Sequence, residues 1–263
     1  MSHSSFLSTV RAWELDEVSR RFPSPRSPRG NRTLLELGAG TGQQARMLQS
    51  RGYDVTAIDL PSSHYYRERV FPVTDYDGVA VPFADRSFDV VFSSNVLEHV
   101  VQLDRVLGEL RRVMADDGIA VHVLPSPACR LWSIPAHYVW MARRIAAAMP
   151  KERAKHGGTG ALQVQPKVPA SAREWLSTLF PQRHGERGSA LTEPYYYSRR
   201  WWRAAFERNG FLVEQVQGNR LFYTMANSLA HQLPMGARSR LSGLLGSACN
   251  IFVLRKEGSP HDA

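Results

Sequence analysis

LLELGAGTG, residues 34–42, is the stretch whose reading decides the fold. Leu34 and Leu35 have the character of a buried strand end, and Glu36 stands where that strand emerges. Gly38, Gly40 and Gly42 then make a turn without side chains, the residue type used where another group must approach the backbone closely. A helix over 43–50 follows, so strand, glycine turn and helix come in the order that builds a crevice at the strand ends of an open α/β sheet. The spacing excludes two common nucleotide sites. A G-x-G-x-x-G fingerprint needs a third glycine where Gln43 stands, and no Gly-Lys-Ser/Thr phosphate loop is present. What remains is E-x-G-x-G-x-G. An acid two residues before the first glycine repels a pyrophosphate and can hold a cation; the plain alternative is a tight turn.

Working outward, a second strand over 53–58 ends in Asp59, where a carboxylate can accept hydrogen bonds from both hydroxyls of a ribose. A helix is expected over 62–69, a short strand over 70–74, and then Asp75-Tyr76-Asp77-Gly78. FDVVFSS at 88–94 has the β-branched and aromatic bias of a strand. Asn95 is placed to cap the turn carrying Leu97, Glu98 and His99. Residues 103–114 form an amphipathic helix, Asp116-Asp117-Gly118 a turn, and 119–124 a fifth strand. Alternating strands and helices over 33–124 imply a doubly wound, mostly parallel α/β sheet. The rhythm breaks after Pro125: residues 126–197 read as an irregular or helical insertion on the substrate side. A helix over 198–209 and strands over 211–216 and 250–254 complete the sheet. The organisation expected is an N-terminal helix (6–22) and linker within 1–30, one domain over 31–255, and a tail over 256–263.

Composition limits the alternatives. Of 263 residues, 43% are hydrophobic and 22% charged, as in ordinary globular chains. Cys129 and Cys249 offer neither metal spacing nor a disulfide framework. No signal-like apolar core and no bilayer-length run is present, so a cytoplasmic protein is expected, at most peripheral to the inner face of a membrane. The net charge of +9 suits nucleic acid, anionic lipid or an acidic substrate, but the basic residues are scattered rather than blocked.

LELGAGTG, Asp59, DGVAVPFADRSFDVVFSSNVLEHV and ELRRVMADDG together resemble the successive motifs of class I S-adenosylmethionine-dependent methyltransferases, in particular the small-molecule group with an "LPF…FD" segment. The resemblance implies a seven-stranded Rossmann-like sheet and S-adenosylmethionine as cofactor. It implies that Glu36, Gly38, Ala39 and Gly40 face the methionine end, with Thr41 and Gly42 finishing the loop. Asp59 would take the ribose and Leu60 the adenine face. Asp77, preferred over Asp75, and Gly78 would take the adenine edge, and Ser94 and Asn95 would border the sulfonium. Val81 stands where the family has leucine, and Asp116-Asp117 where it has proline-glycine; both departures are mild.

The activity expected is methyl transfer to a small-molecule or saccharide acceptor, at oxygen, a poor nucleophile that wants a base. His99 and His184 are the candidate catalytic residues, against the reading of His99 as a packed neutral histidine. His122, alternating with valines in a strand, reads as a core residue. Related enzymes carry E-x-x-E-H for a divalent ion; Asn95 replaces the first acid, so no metal is expected. The basic amphipathic stretch over 134–156 reads as a lid helix, with a peripheral membrane contact as the alternative. The competing readings are an RNA methyltransferase, disfavoured for want of a base-amine motif or an appended RNA-binding fold, and a non-catalytic cofactor-binding subunit.

Overall fold

Leu34 and Leu35 lie on opposite faces of one strand, and that alternation organises the molecule around a sheet buried on both sides. The computed structural model describes residues 3–28, 30–148, 181–224 and 233–258; side chains at 3–8 and 144–148 lie outside that description. The seven strands of the main sheet are β1 (Thr33–Leu37), β2 (Asp54–Asp59), β3 (Thr74–Asp75), β4 (Phe88–Ser94), β5 (Met114–Pro125), β6 (Phe211–Gly218) and β7 (Cys249–Lys256). Their spatial order is β3-β2-β1-β4-β5-β7-β6. β1 pairs parallel with both β2 and β4, and only β7 runs antiparallel to its neighbours β5 and β6. Strand order therefore reverses between β1 and β4, the position at which open α/β sheets bind ligands beyond their carboxyl ends.

On one face, α1 (His3–Ser19) and α2 (Gln43–Ser50) bury Leu15, Val18, Ala45 and Leu48 against Leu34, Phe92, Val121 and Ile251. On the other, α3 (Leu103–Val113) and α6 (Arg199–Arg208) bury their apolar stripes against Leu35, Val91, Ala120, Phe252 and Leu254. Every apolar position expected to face inward from α3, through Met114, is buried. The remaining helices are α4 (Pro127–Ala148), α5 (Glu193–Tyr196) and α7 (Met235–Leu245).

Several local expectations are corrected. Residues 62–69 form no α-helix: they run through successive turns around a single 3-10 turn, Tyr66–Glu68, and the following strand is just Thr74–Asp75. A two-residue edge strand with proline at 72 has little ladder to offer. Asp116-Asp117-Gly118 lies within β5, where the register with β4 jumps from Phe88↔Met114 to Val90↔Ile119, a bulge in place of a turn. The insertion opens directly as a long helix, α4, with Pro135 inside it. The first helix packs on the sheet, since its Leu15 and Val18 belong to the core of that face.

Phe206 is fully buried and lies 5.6 Å from both His122 and Trp202 and 5.4 Å from Phe252, ring centre to ring centre. Truncation to alanine leaves a cavity that no neighbour can fill, so Phe206→Ala should lower stability by about 3–5 kcal/mol, read from urea denaturation midpoints.

Candidate functional site

The site begins with a charge that the fold buries. Glu36, in β1, is almost inaccessible, and one carboxylate oxygen accepts the N–H of Ala45 in the first turn of α2. Gly42, the N-cap of that helix, has no side chain to perform this task. Oε2 of Glu36 has no hydrogen-bond partner among the described residues, and burial, with the nearby Asp59 charge, pushes the carboxyl up to about 8. A buried acceptor without a donor beside a side-chain-free turn is suited to an incoming cation.

The turn admits nothing larger than glycine. Gly38 (φ 69°) would place a Cβ 2.4 Å from Val96 Cγ2, and Gly42 (φ 75°) one 2.6 Å from Phe71 Cβ. The amides of Gly38 and Ala39 both donate to Ile58 O, and the Gly40 amide donates to Asp59 Oδ2 at 2.9 Å. Asp59 Oδ1 accepts its neighbour Leu60 N–H, so this carboxylate at the tip of β2 braces the loop and retains lone pairs toward the crevice. The Tyr65 ring lies over Gly40; its part in the site was not legible, because a helix was expected there.

Beyond β3, Arg69 engages Asp75 at 2.8 Å. Asp77 instead accepts the N–H groups of Val79 and Ala80 through Oδ1, which hold its carboxyl below the usual range. Leu60 Cδ2 would lie 3.1 Å from a Cβ at Gly78 (φ 87°), so Leu60 and Gly78 form one small apolar shelf beside Asp77. At the tip of β4, Asn95 does not cap a helix. It takes a left-handed conformation (φ 55°), which asparagine tolerates, and donates from Nδ2 to Ser94 Oγ. Its Oδ1 accepts from Cys249 Sγ at 3.5 Å.

Cys249 leads to a network that sequence reasoning missed. Its Sγ lies 3.0 Å from the Tyr223 hydroxyl, which donates to Glu14 Oε1; Asn219 and Arg11 also bond to Glu14. An acid flanked by Trp13 and Leu15 in an apolar helix was the available signal. Through Glu14, α1 reaches the edge of the crevice.

On the other side of Asn95, the 3-10 turn Leu97–His99 presents Glu98 and His99. Glu98 is buried with both oxygens lacking a hydrogen-bond partner among the described residues, and burial pushes its carboxyl up to about 8. His99 Nε2 lies 3.8 Å from Glu98 Oε1, and the His184 ring meets the His99 ring edge-on at 4.8 Å. The two histidines proposed as catalytic, 85 residues apart in the chain, are thus brought together. Burial holds His99 below its ordinary range. His184 is pushed down to about 4 by burial first, then by His99, Arg130 and Arg11, so both rings are neutral near pH 7.

A buried ion pair seats His184. Arg130 of α4 and Glu193 of α5, both nearly inaccessible, meet at 2.8 Å. Arg130 also donates to Ala190 O and Gln182 O, Glu193 accepts the amides of His184 and Gly185, and Glu186 N–H donates to Glu98 O. His122 takes no part: it is fully buried, bonded to Ser93 Oγ at 2.8 Å and pushed down to about 3 by burial, a neutral core histidine.

Glu98, His99 and His184 each offer a metal-ligand atom, all within 4.8 Å of one another. The edges of a tetrahedral site with bonds of 2.0–2.1 Å are about 3.4 Å, so closing on an ion would require rotamer changes. Of the stretch over 134–156, Tyr138 and Val139 are exposed, as are Leu131 and Trp132 earlier in α4. Lys151, Arg153, Lys155 and His156 lie outside the described residues, and no described helix is long and apolar enough to cross a membrane.

Residues 35–122 match the methyltransferase domain family. The malonyl-[acyl-carrier protein] O-methyltransferase of Geobacter sulfurreducens is 33% identical over 102 residues, 35% of this chain and 38% of that one. The demethylmenaquinone methyltransferase of Renibacterium salmoninarum is 31% identical over 139 residues, 43% of this chain and 59% of that one. The chain spans less than two thirds of the length of the curated relatives it matches. Among solved structures, an S-adenosylmethionine-dependent methyltransferase from Mesorhizobium loti superposes with a TM-score of 0.54 at 17% identity, covering 93% of this chain and 98% of that one.

Two outcomes follow from the buried charges. Removing one partner of a buried pair strands the other, so Glu193→Ala should cost about 3–5 kcal/mol in chemical denaturation. Glu36, raised from 4.5 to about 8 on folding, binds its proton more tightly in the folded state. Its contribution is therefore present below pH 4.5 and is lost as pH rises toward 8. Between those limits, the stability of Glu36→Gln relative to the parent should improve with rising pH, measured by urea titrations across the window.

Proposed function

We propose that this chain, which belongs to the class I S-adenosylmethionine-dependent methyltransferases, transfers a methyl group to the oxygen of a small-molecule acceptor, with His99 as the base. The observation that carries this reading is the meeting of two neutral imidazoles, His99 and His184, beside the glycine-lined crevice at the sheet's switch point.

The residues present fit the family's cofactor. Glu36, with an orphaned buried oxygen, is matched to an ammonium; Gly38, Ala39, Gly40, Thr41 and Gly42 supply a tightly bent loop whose small residues leave its backbone open to a ligand. Asp59 and Asp77 offer carboxylates for ribose hydroxyls and an adenine amine, Leu60 and Gly78 the apolar shelf between them, and Ser94 and Asn95 the β4 border. S-adenosylmethionine, when bound, supplies a methyl group already activated on a sulfonium.

The chain's own task is then to align the acceptor and remove its proton. His99, partly desolvated and so held below its ordinary range, accepts the hydroxyl proton on its free imidazole nitrogen. Glu186 and Glu193, whose negative charges act on His99, favour the cationic imidazole as it forms. The Arg130–Glu193 pair holds His184 against His99 and so fixes the floor on which an acceptor rests. The oxygen acceptor draws support from the similarity to an O-methyltransferase, and the small-molecule class from the similarity to a demethylmenaquinone methyltransferase. A second reading, with a divalent ion on Glu98, His99 and His184 in place of the free base, is supported by the two unpartnered Glu98 oxygens.

Incubation of the purified protein with labelled cofactor and a cell extract tests both readings. Label should enter a small-molecule fraction and persist after chelation, and His99→Ala should lower the rate about 10²–10⁴-fold while leaving affinity for the demethylated cofactor unchanged. Label in RNA overturns the acceptor class, loss of transfer on chelation selects the metal, and failure to bind the demethylated cofactor removes the reading altogether.

A further inference from the structure

At the far end of the same sheet edge, beyond β5, β7 and β6, lies a second cavity of about 710 Å³. It is separate from the crevice at β1 and β4, and its lining is chemically one-sided. Arg199 and Arg220 border it, and no aspartate or glutamate does among the described residues. Two helices also begin there. Ser126 caps α4 by accepting Cys129 N–H, and Ser198 caps α6 by accepting Trp201 N–H. α4 and α6 have 22 and 10 residues, long enough to present unpaired first-turn amides with a partial positive charge.

An independent observation points to a missing acceptor. Asn250, in β7, is 3% exposed and borders the cavity. Its Oδ1 accepts Arg199 Nε at 2.9 Å, which settles the amide orientation, and its Nδ2 has no partner among the described residues. A buried amide donor left unpaired is costly unless a ligand or water satisfies it. The Arg220 side chain has no partner among the described residues either; only its backbone amide is engaged, by Ser247 Oγ.

We propose that this cavity binds the phosphate group of a phosphate ester. Two guanidinium groups, an unpaired amide donor and two helix starts all supply donors, which is the chemistry of a multivalent oxyanion. The volume exceeds what an inorganic phosphate needs and lies within the range of small-metabolite pockets, leaving room for the esterified group. Glu36, Asp59 and Asp77, by contrast, surround the first crevice with acids, so the two sites select opposite charges. They are joined through adjacent residues: Cys249 touches Asn95 at the first, and Asn250 lines the second.

Calorimetric titration of the purified chain with glycerol 3-phosphate and with inorganic phosphate, in chloride buffers of matched ionic strength, tests this. Glycerol 3-phosphate should bind more tightly than inorganic phosphate. Arg220→Asn removes the charge while tolerating the left-handed backbone at that position (φ 56°), and Arg199→Ala removes the second guanidinium. Each should weaken the ester by at least about tenfold, the loss of one charge-assisted contact, with thermal unfolding of Arg220→Asn unchanged. Equal affinity for the two probes overturns the ester and leaves only a free-ion site. Absence of binding, or affinity unaltered in a folded Arg220→Asn, overturns the site.

Discussion

Three strand tips converge on a bend that has no room for side chains, and the rest of the molecule is arranged around that constraint. Gly38 is pressed against Val96 from the end of β4, and Gly42 against Phe71 from the approach to β3. Asp59, at the tip of β2, bonds the Gly40 amide between them. Any methyl at the outer glycines would push β1 away from its neighbours or close the crevice. The same bend leaves α2 without a side-chain cap, and Glu36 serves that purpose from below. One residue therefore finishes a helix and offers a lone oxygen to the crevice.

The acceptor side is assembled differently, from parts far apart in the chain. Glu98 and His99 arrive on a short turn after β4, and His184 arrives from beyond α4. Their meeting depends on Arg130 and Glu193, which lie in a dry environment where an ion pair is worth keeping only with its hydrogen bonds complete. The backbone amides of His184 and Gly185 and the carbonyls of Gln182 and Ala190 complete them. The histidines are thus positioned by groups that never face the crevice.

Local pattern made the first half of this arrangement legible and left the second half obscure. Strand-glycine-helix grammar over 34–50, the β-branched and aromatic bias of 88–94 and the stripe of 103–114 each depend on neighbours in sequence, and the structure reproduces all three. The segment over 62–69 misled because its composition permits a helix, whereas the chain folds there into successive turns around one 3-10 turn, with Tyr65 set against Gly40. Glu14 gave only the weak signal of an acid between Trp13 and Leu15, and Arg130 gave none. Each is a charged residue within a mostly apolar helix, and nothing in the local sequence says that a partner over fifty residues away will meet it. His99 and His184 were named as separate candidates; only the three-dimensional path of 181–192 pairs them.

The placement of α1 carries a consequence for how the protein can be divided. The family match begins at residue 35, which invites trimming to that edge. Such a cut would pass through the hydrophobic interior, not around it: Leu15 and Val18 fill space between Leu34, Phe92 and Val121. It would also unfasten Glu14 from Asn219 and Tyr223, loosening Cys249 and, through it, Asn95. The smallest unit able to stand alone is therefore larger than the segment that evolution has kept recognisable.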